Sequence, residues 1–174
     1  DNVIPFEPLW EQYNRIIKDN GAIVLFGREP FTSRLCMSNI KNYKHKWVWN
    51  KKQSGSFATA KYMPLQIEED ILVFCKDNKK VMYFPIMRKG KMRKRGGAKT
   101  NIKTMTGLKN GYVAYSDEYY PTNILDFPNC RNRKNNVHPT QKPVELLEYL
   151  IKTYTVEGEI VLDNCMGSGS TGVA

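Results

Sequence analysis

The chain has 174 residues, enough for one domain with a real core, and carries a formal net charge of +10. Its hydrophobic (41%) and charged (25%) fractions are those of a globular protein. No apolar run is long enough to span a bilayer and no signal-peptide pattern opens the chain, which argues against a membrane protein. The charge is uneven: residues 76–134 hold 15 basic and 4 acidic side chains, whereas residues 1–75 net +2 and residues 135–174 net −3. One central segment therefore holds the excess, and a field of that size implies a polyanionic partner, nucleic acid first. The plain alternative is a solvated basic loop.

Residues 8–19 place Leu9, Trp10, Tyr13, Ile16 and Ile17 at helical spacing. Asp19-Asn20-Gly21 should end that helix with a left-handed cap. Ala22-Ile23-Val24-Leu25-Phe26 follows as a continuous apolar strand, expected to be buried on both faces. Helix, glycine stop and apolar strand form the αβ unit of a doubly wound sheet. A second helix is expected over 30–40, then a strand over 45–50 whose Trp47 and Trp49 read as core. After a polar loop, Ile71-Leu72-Val73-Phe74 is the next strand, suggesting a β-rich end to the sheet.

From Lys76 the composition changes. Residues 87–97 are basic and punctuated by Gly90, Gly96 and Gly97, with tyrosines downstream. Arginines and lysines for phosphates, with glycines permitting close approach, suit a duplex-binding insert. The candidates for DNA contact are Arg88, Lys89, Arg93, Lys94, Arg95 and Lys99. Residues 122–128 form a short strand ended by Pro128. The run His138-Pro139-Thr140-Gln141-Lys142-Pro143 then opens a helix, with Thr140 as its cap and Leu146, Leu147, Leu150 and Ile151 as its apolar face.

The chain closes on Ile160-Val161-Leu162, read as a short buried parallel strand, then Asp163 and glycines at 167, 169 and 172. A strand, an acid and a glycine turn leading into a helix form a ligand site at the carboxyl end of an open α/β sheet. Three ligands compete for such a turn. A dinucleotide site needs a further strand and acid about 20 residues on. A phosphate loop needs a lysine in the turn. The third reading is an S-adenosylmethionine site, and the plain alternative is a small-residue turn with no ligand. Cys36, Cys75, Cys130 and Cys165 are scattered without a C-x-x-C pair, so neither a metal site nor a disulfide framework is expected, and a reduced, cytoplasmic compartment fits. Cys165 reads as a small residue beside the ligand.

Taken together, His138-Pro139-Thr140-Gln141-Lys142-Pro143 and the run from Asp163 to Gly172 resemble the cofactor half of DNA amino-methyltransferases, which methylate adenine N6 or cytosine N4. The order of motifs resembles the permuted beta class, in which the catalytic region precedes the target-recognition and cofactor regions. Gly21 to Gly27 resembles a strand of that catalytic region. The resemblance implies a Rossmann-like α/β methyltransferase fold, a doubly wound sheet that is incomplete here, with a basic target-recognition insert. It divides the chain into 1–75 (catalytic region), 76–134 (insert) and 135–174 (cofactor region). It implies S-adenosylmethionine as cofactor, held by Asp163, Asn164, Cys165, Gly167, Ser168 and Gly169, with Thr140, Gln141 and Lys142 closing from the other side. Asn164 and Cys165 stand where the family usually has Pro-Phe.

The implied reaction is site-specific transfer of methyl to the exocyclic amine of a flipped base in double-stranded DNA, adenine N6 ahead of cytosine N4. A catalytically inactive DNA-binding module is the alternative. No Pro-Pro occurs in the sequence, so the family's Asp/Asn/Ser-Pro-Pro-Tyr tetrapeptide is expected before Asp1. This chain by itself is then expected to be inactive. A bacterial or phage origin fits, and a homodimer is left open.

Overall fold

The computed structural model describes residues 3–54, 57–76, 79–96, 113–130, 138 and 140–174, with the side chains of residues 95, 96, 113 and 114 excepted. In chain order the elements are α1 (Phe6–Ile16), β1 (Ala22–Gly27), α2 (Phe31–Ser38), β2 (Tyr43–Asn50), β3 (Glu68–Cys75), β4 (Arg88–Gly96), β5 (Val113–Tyr119), β6 (Ile124–Asp126), α3 (Val144–Tyr154) and α4 (Ser170–Val173). They fall into two units, Asp1–Phe84 with Thr122–Ala174, and Pro85–Pro121.

In the first unit a sheet runs in the order β1-β3-β2-β6. β3 pairs antiparallel with β1 and with β2, and β2 pairs parallel with β6. Because side chains alternate across a strand, β3 supplies two cores. Ile71 and Val73 point to one face, joined by Trp47, Trp49, Leu125 and the α3 residues Leu146, Leu150 and Tyr154. Leu72 and Phe74 point to the other, joined by Trp10 of α1, Ile23 of β1 and Leu35 of α2. Helices thus cover both faces, the layering of a doubly wound fold. Residues 71–74 are essentially inaccessible, and each such side chain stabilises the fold by about 1.5–3 kcal/mol.

The α3 face also buries a polar knot. Tyr154 Oη accepts the Trp47 Nε1–H at 2.6 Å and lies 2.7 Å from His45 Nε2. The Tyr154 oxygen is therefore shared between the indole and the imidazole. Burial lowers the His45 pKa and raises that of the Tyr154 hydroxyl.

Several expectations are corrected. Residues 160–162 form no strand, and Ile160, Val161 and Leu162 are 94%, 45% and 65% exposed. An apolar run becomes a strand only beside an edge that takes its N–H and C=O groups, and no described strand pairs with it. β1 is only partly buried, because among the described strands β3 is its single partner. The described strand pairs are antiparallel except β2–β6, since the loop between β2 and β3 returns the chain directly rather than through a crossover helix. Gly21 does not take a left-handed conformation. A Cβ there would come within 2.9 Å of the Ile17 side chain and 3.2 Å of the Lys18 carbonyl, so the position is closely packed. Thr140 does not cap α3, whose N-cap is Pro143 without a side-chain bond. The Thr140 hydroxyl is engaged with His138 instead.

Candidate functional site

The glycine turn is held by its own acid. Asp163 Oδ1 accepts the Cys165 N–H at 2.9 Å, and Oδ2 accepts the Thr171 hydroxyl at 2.6 Å from the first turn of α4. Both carboxylate oxygens therefore tie the start of the turn to the helix that follows it. Within the turn Gly167 and Gly169 lie at φ +48° and +73°, the region where a Cβ is disfavoured. The Gly169 N–H closes onto Met166 C=O at 2.7 Å. Asn164, Cys165, Met166 and Gly167 stay exposed, and Ser168 Oγ sits 3.3 Å from Ser170 Oγ. From α1, Tyr13 Oη donates to Asn164 Oδ1 at 3.4 Å, and its partial burial raises its pKa.

The histidine loop meets this turn. A Cβ on Gly167 would stand 3.7 Å from His138 Cε1 and Nδ1, so the imidazole lies in van der Waals reach of the glycine. His138 is oriented by its own loop: Nδ1 accepts the Thr140 N–H at 3.3 Å and contacts the Thr140 hydroxyl at 3.1 Å, while the Gln141 N–H donates to the His138 carbonyl. α3 and α4 are in contact as well. Two motifs separated in sequence by α3 therefore meet in one largely exposed site of turn backbone, hydroxyls and one imidazole.

Lys142, grouped with this loop from sequence, goes elsewhere. Its Nζ is 3.0 Å from Glu69 Oε1 and sits over the rings of Phe26 (4.9 Å) and Trp49 (5.7 Å). Sequence reasoning missed Glu69, Thr171 and Tyr13. Thr171 stood inside the glycine run, and its hydroxyl was the available signal.

Of the DNA-contact candidates, four can be placed by side chain, all in the second unit. β4 and β5 form an antiparallel hairpin with a register shift between Lys89 and Arg93. Across the shift Tyr119 packs where a Cβ on Gly90 would come within 2.8 Å, and its hydroxyl donates to Lys91 C=O at 2.6 Å. The Arg93 guanidinium lies 3.9 Å above the same ring, a cation–π contact. Lys89 pairs with Glu118 (3.2 Å) and Asp117 (3.5 Å), and the hydrogen bond to Glu118 leads in raising its pKa. Arg88 donates to Tyr120 C=O at 3.4 Å. Lys94 is exposed and opposite Tyr115 in the register, itself 69% exposed. Arg95 is in β4 by backbone, and Lys99 lies outside the described residues. Among the described residues no cluster of potential metal ligands occurs and no helix is long and apolar enough to cross a membrane.

With this geometry in hand, likeness to other proteins is informative. The model of a DNA methylase family, N6_N4_Mtase, matches residues 5–174. The chain is 27% identical over 173 residues to the Type II methyltransferase M.HpaI of Haemophilus parainfluenzae, covering 96% of this chain and 50% of that protein. It is 28% identical over 172 residues to the DNA adenine methyltransferase YhdJ of Escherichia coli (strain K12), covering 91% and 53%. The chain thus spans about half the length of these curated relatives. Among solved structures, an M1.HpyAVI–SAM complex superposes with a TM-score of 0.57 at 25% identity, covering 98% of this chain and 71% of that one. The cytosine-N4-specific PvuII DNA methyltransferase superposes at 0.62 over 97% and 60%; its 15% identity makes this a likeness of fold. The family match over nearly the whole chain, on a sheet covered by helices on both faces and carrying the joined histidine and glycine motifs, makes the chain a member of the N6/N4 DNA methylase family.

Proposed function

We propose that the protein is a site-specific DNA methyltransferase that uses S-adenosylmethionine to methylate the exocyclic amine of a base, adenine N6 in particular. The observation that carries this reading is the seating of His138 on Gly167, which joins the two motifs in one site. The site fits such a cofactor: the two left-handed glycines clear side chains from an exposed backbone turn, and Asp163 fixes that turn from within. When bound, S-adenosylmethionine supplies an electrophilic methyl group. The turn would receive its amino-acid end, with Asn164, Cys165 and Ser168 at the rim and Thr140 and Gln141 on the facing loop. A turn already ordered by these bonds receives a ligand without the entropy loss of ordering it. The hairpin of the second unit supports a DNA partner, with Lys94 exposed and Arg93 held flat on Tyr119. Adenine is favoured by the relative YhdJ, whose name specifies an adenine methyltransferase.

An exocyclic amine conjugated to a base ring is a poor nucleophile, so a neighbouring acceptor must take up its hydrogen as nitrogen gains the methyl group. With no Pro-Pro pair in the sequence, that acceptor is assigned to no residue of this chain. The test is transfer of labelled methyl from S-adenosylmethionine to duplex DNA by the full-length protein, followed by digestion to nucleosides. Label in N6-methyladenine is expected. Label in N4-methylcytosine would overturn the base assignment, and no label despite demonstrated cofactor binding would favour an inactive DNA-binding module.

A further inference from the structure

Glu69 is absent from every motif of the sequence, yet it is where the histidine loop is fastened. Parity along β3 sends Glu69 to the same face as Ile71 and Val73, the face covered by α3. Lys142 precedes α3 by two residues, so the end of its loop must pass over that part of the sheet. There the Lys142 ammonium lies 3.0 Å from Glu69 Oε1, above Phe26 at the end of β1 and above Trp49, which is directly opposite Glu69 in the register. Both side chains are mostly buried, 24% and 18% exposed. Lys51 approaches the other carboxylate oxygen at 3.6 Å. A charge-assisted pair with an aromatic floor is a stronger tie than a surface ion pair.

We propose that Glu69 is a positioning residue of the cofactor site, acting through Lys142. The pair pins one end of the 138–143 loop to the central strand, and the loop's other end carries His138 onto Gly167. Lys142 is then an anchor rather than a cofactor contact. The consequence for binding rests on the reading of the site as a cofactor site; the consequence for His138 does not.

The chain contains two histidines in different environments: His138 in the loop and His45 half-buried on β2 against Tyr154. In the full-length protein the Hε1 resonances of these two are identified by their loss in His138→Asn and His45→Asn, whatever other histidines it contains, and can then be followed separately by NMR. In Glu69→Gln and in Lys142→Met the His138 resonance should move while that of His45 stays. Lys142→Arg should restore the wild-type position. By calorimetry each of the first two variants should bind S-adenosylhomocysteine about tenfold more weakly, and the double variant no more weakly than either alone. An unmoved His138 overturns the proposal, as does movement of both histidines, which would make Glu69 a general support of the fold. Weakened binding in Lys142→Met with normal binding in Glu69→Gln also overturns it, in favour of direct contact by Lys142. Wild-type protein that does not bind S-adenosylhomocysteine would refute the cofactor reading, leaving His138 to decide the anchor by itself.

Discussion

Replacing the glycines of the terminal turn one at a time separates the two that are conformationally required from the one that only completes a motif. In Gly167→Ala the new Cβ would meet nothing closer than His138 at 3.7 Å, an ordinary contact, so sterics contribute little. The cost is the left-handed backbone at φ +48°, about 1–2 kcal/mol for an L-residue. The turn is exposed and its hydrogen bonds are local, so it can relax without unfolding the core. The strain should therefore appear as weaker affinity for S-adenosylhomocysteine, about 5- to 30-fold, with the melting temperature nearly unchanged. Gly169→Ala, at φ +73° and with Met166 Cε 3.9 Å away, should behave alike. Gly172 has an ordinary φ, lies in α4, and nothing stands within 4 Å of its Cβ position. Alanine there should be neutral in binding and, as the better helix former, neutral or favourable in stability. Calorimetric titration and thermal melts of the three variants decide it. Equal losses at all three positions, or none at Gly167, would refute the assignment of the turn's shape to its two left-handed residues.

Tyr154→Phe deletes the hydroxyl shared by Trp47 and His45 and leaves the buried indole N–H and the half-buried imidazole without it, so chemical denaturation should show a loss of about 1–3 kcal/mol. Because burial lowers the pKa of His45 in the fold, the unfolded chain takes up a proton first as the solution is acidified. Stability should be flat above about pH 6.5, the unfolded value, and decline below it until the folded-state pKa is passed. Denaturation midpoints between pH 7.5 and 5.5 test this, and a midpoint that rises on acidification would contradict it. Neutralising Arg93, Lys94 and Arg95 together should weaken DNA binding and flatten its salt dependence by about 0.9 in log–log slope for each phosphate these side chains had neutralised. An unchanged slope would mean that these residues do not reach phosphate.

The legible parts of the sequence were those where local periodicity and packing agree. The apolar run at 71–74 was legible as a strand, whereas burial on both faces, expected of residues 22–26, belongs to 71–74 instead, because β3 has a partner on each side and β1 lies at the edge. Trp47 and Trp49, two apart, had to share a face and be core together. The tie between the histidine and glycine motifs was suggested by resemblance, whereas its form, an imidazole over Gly167, required coordinates. Ile160 to Leu162 misled because apolar composition states a preference for burial without naming the neighbour that provides it. Lys142 and Glu69 lie far apart in sequence and carry no shared pattern, so their ion pair became visible only once β3 and α3 were packed face to face.

The most direct measurement is a titration of the full-length protein with S-adenosylhomocysteine, followed at once by calorimetry and by the histidine Hε1 resonances. If the histidine and glycine motifs form one cofactor site, His138 shifts progressively, saturates at the calorimetric stoichiometry, and His45 is unaffected. Tight binding that leaves His138 unmoved would place the cofactor elsewhere.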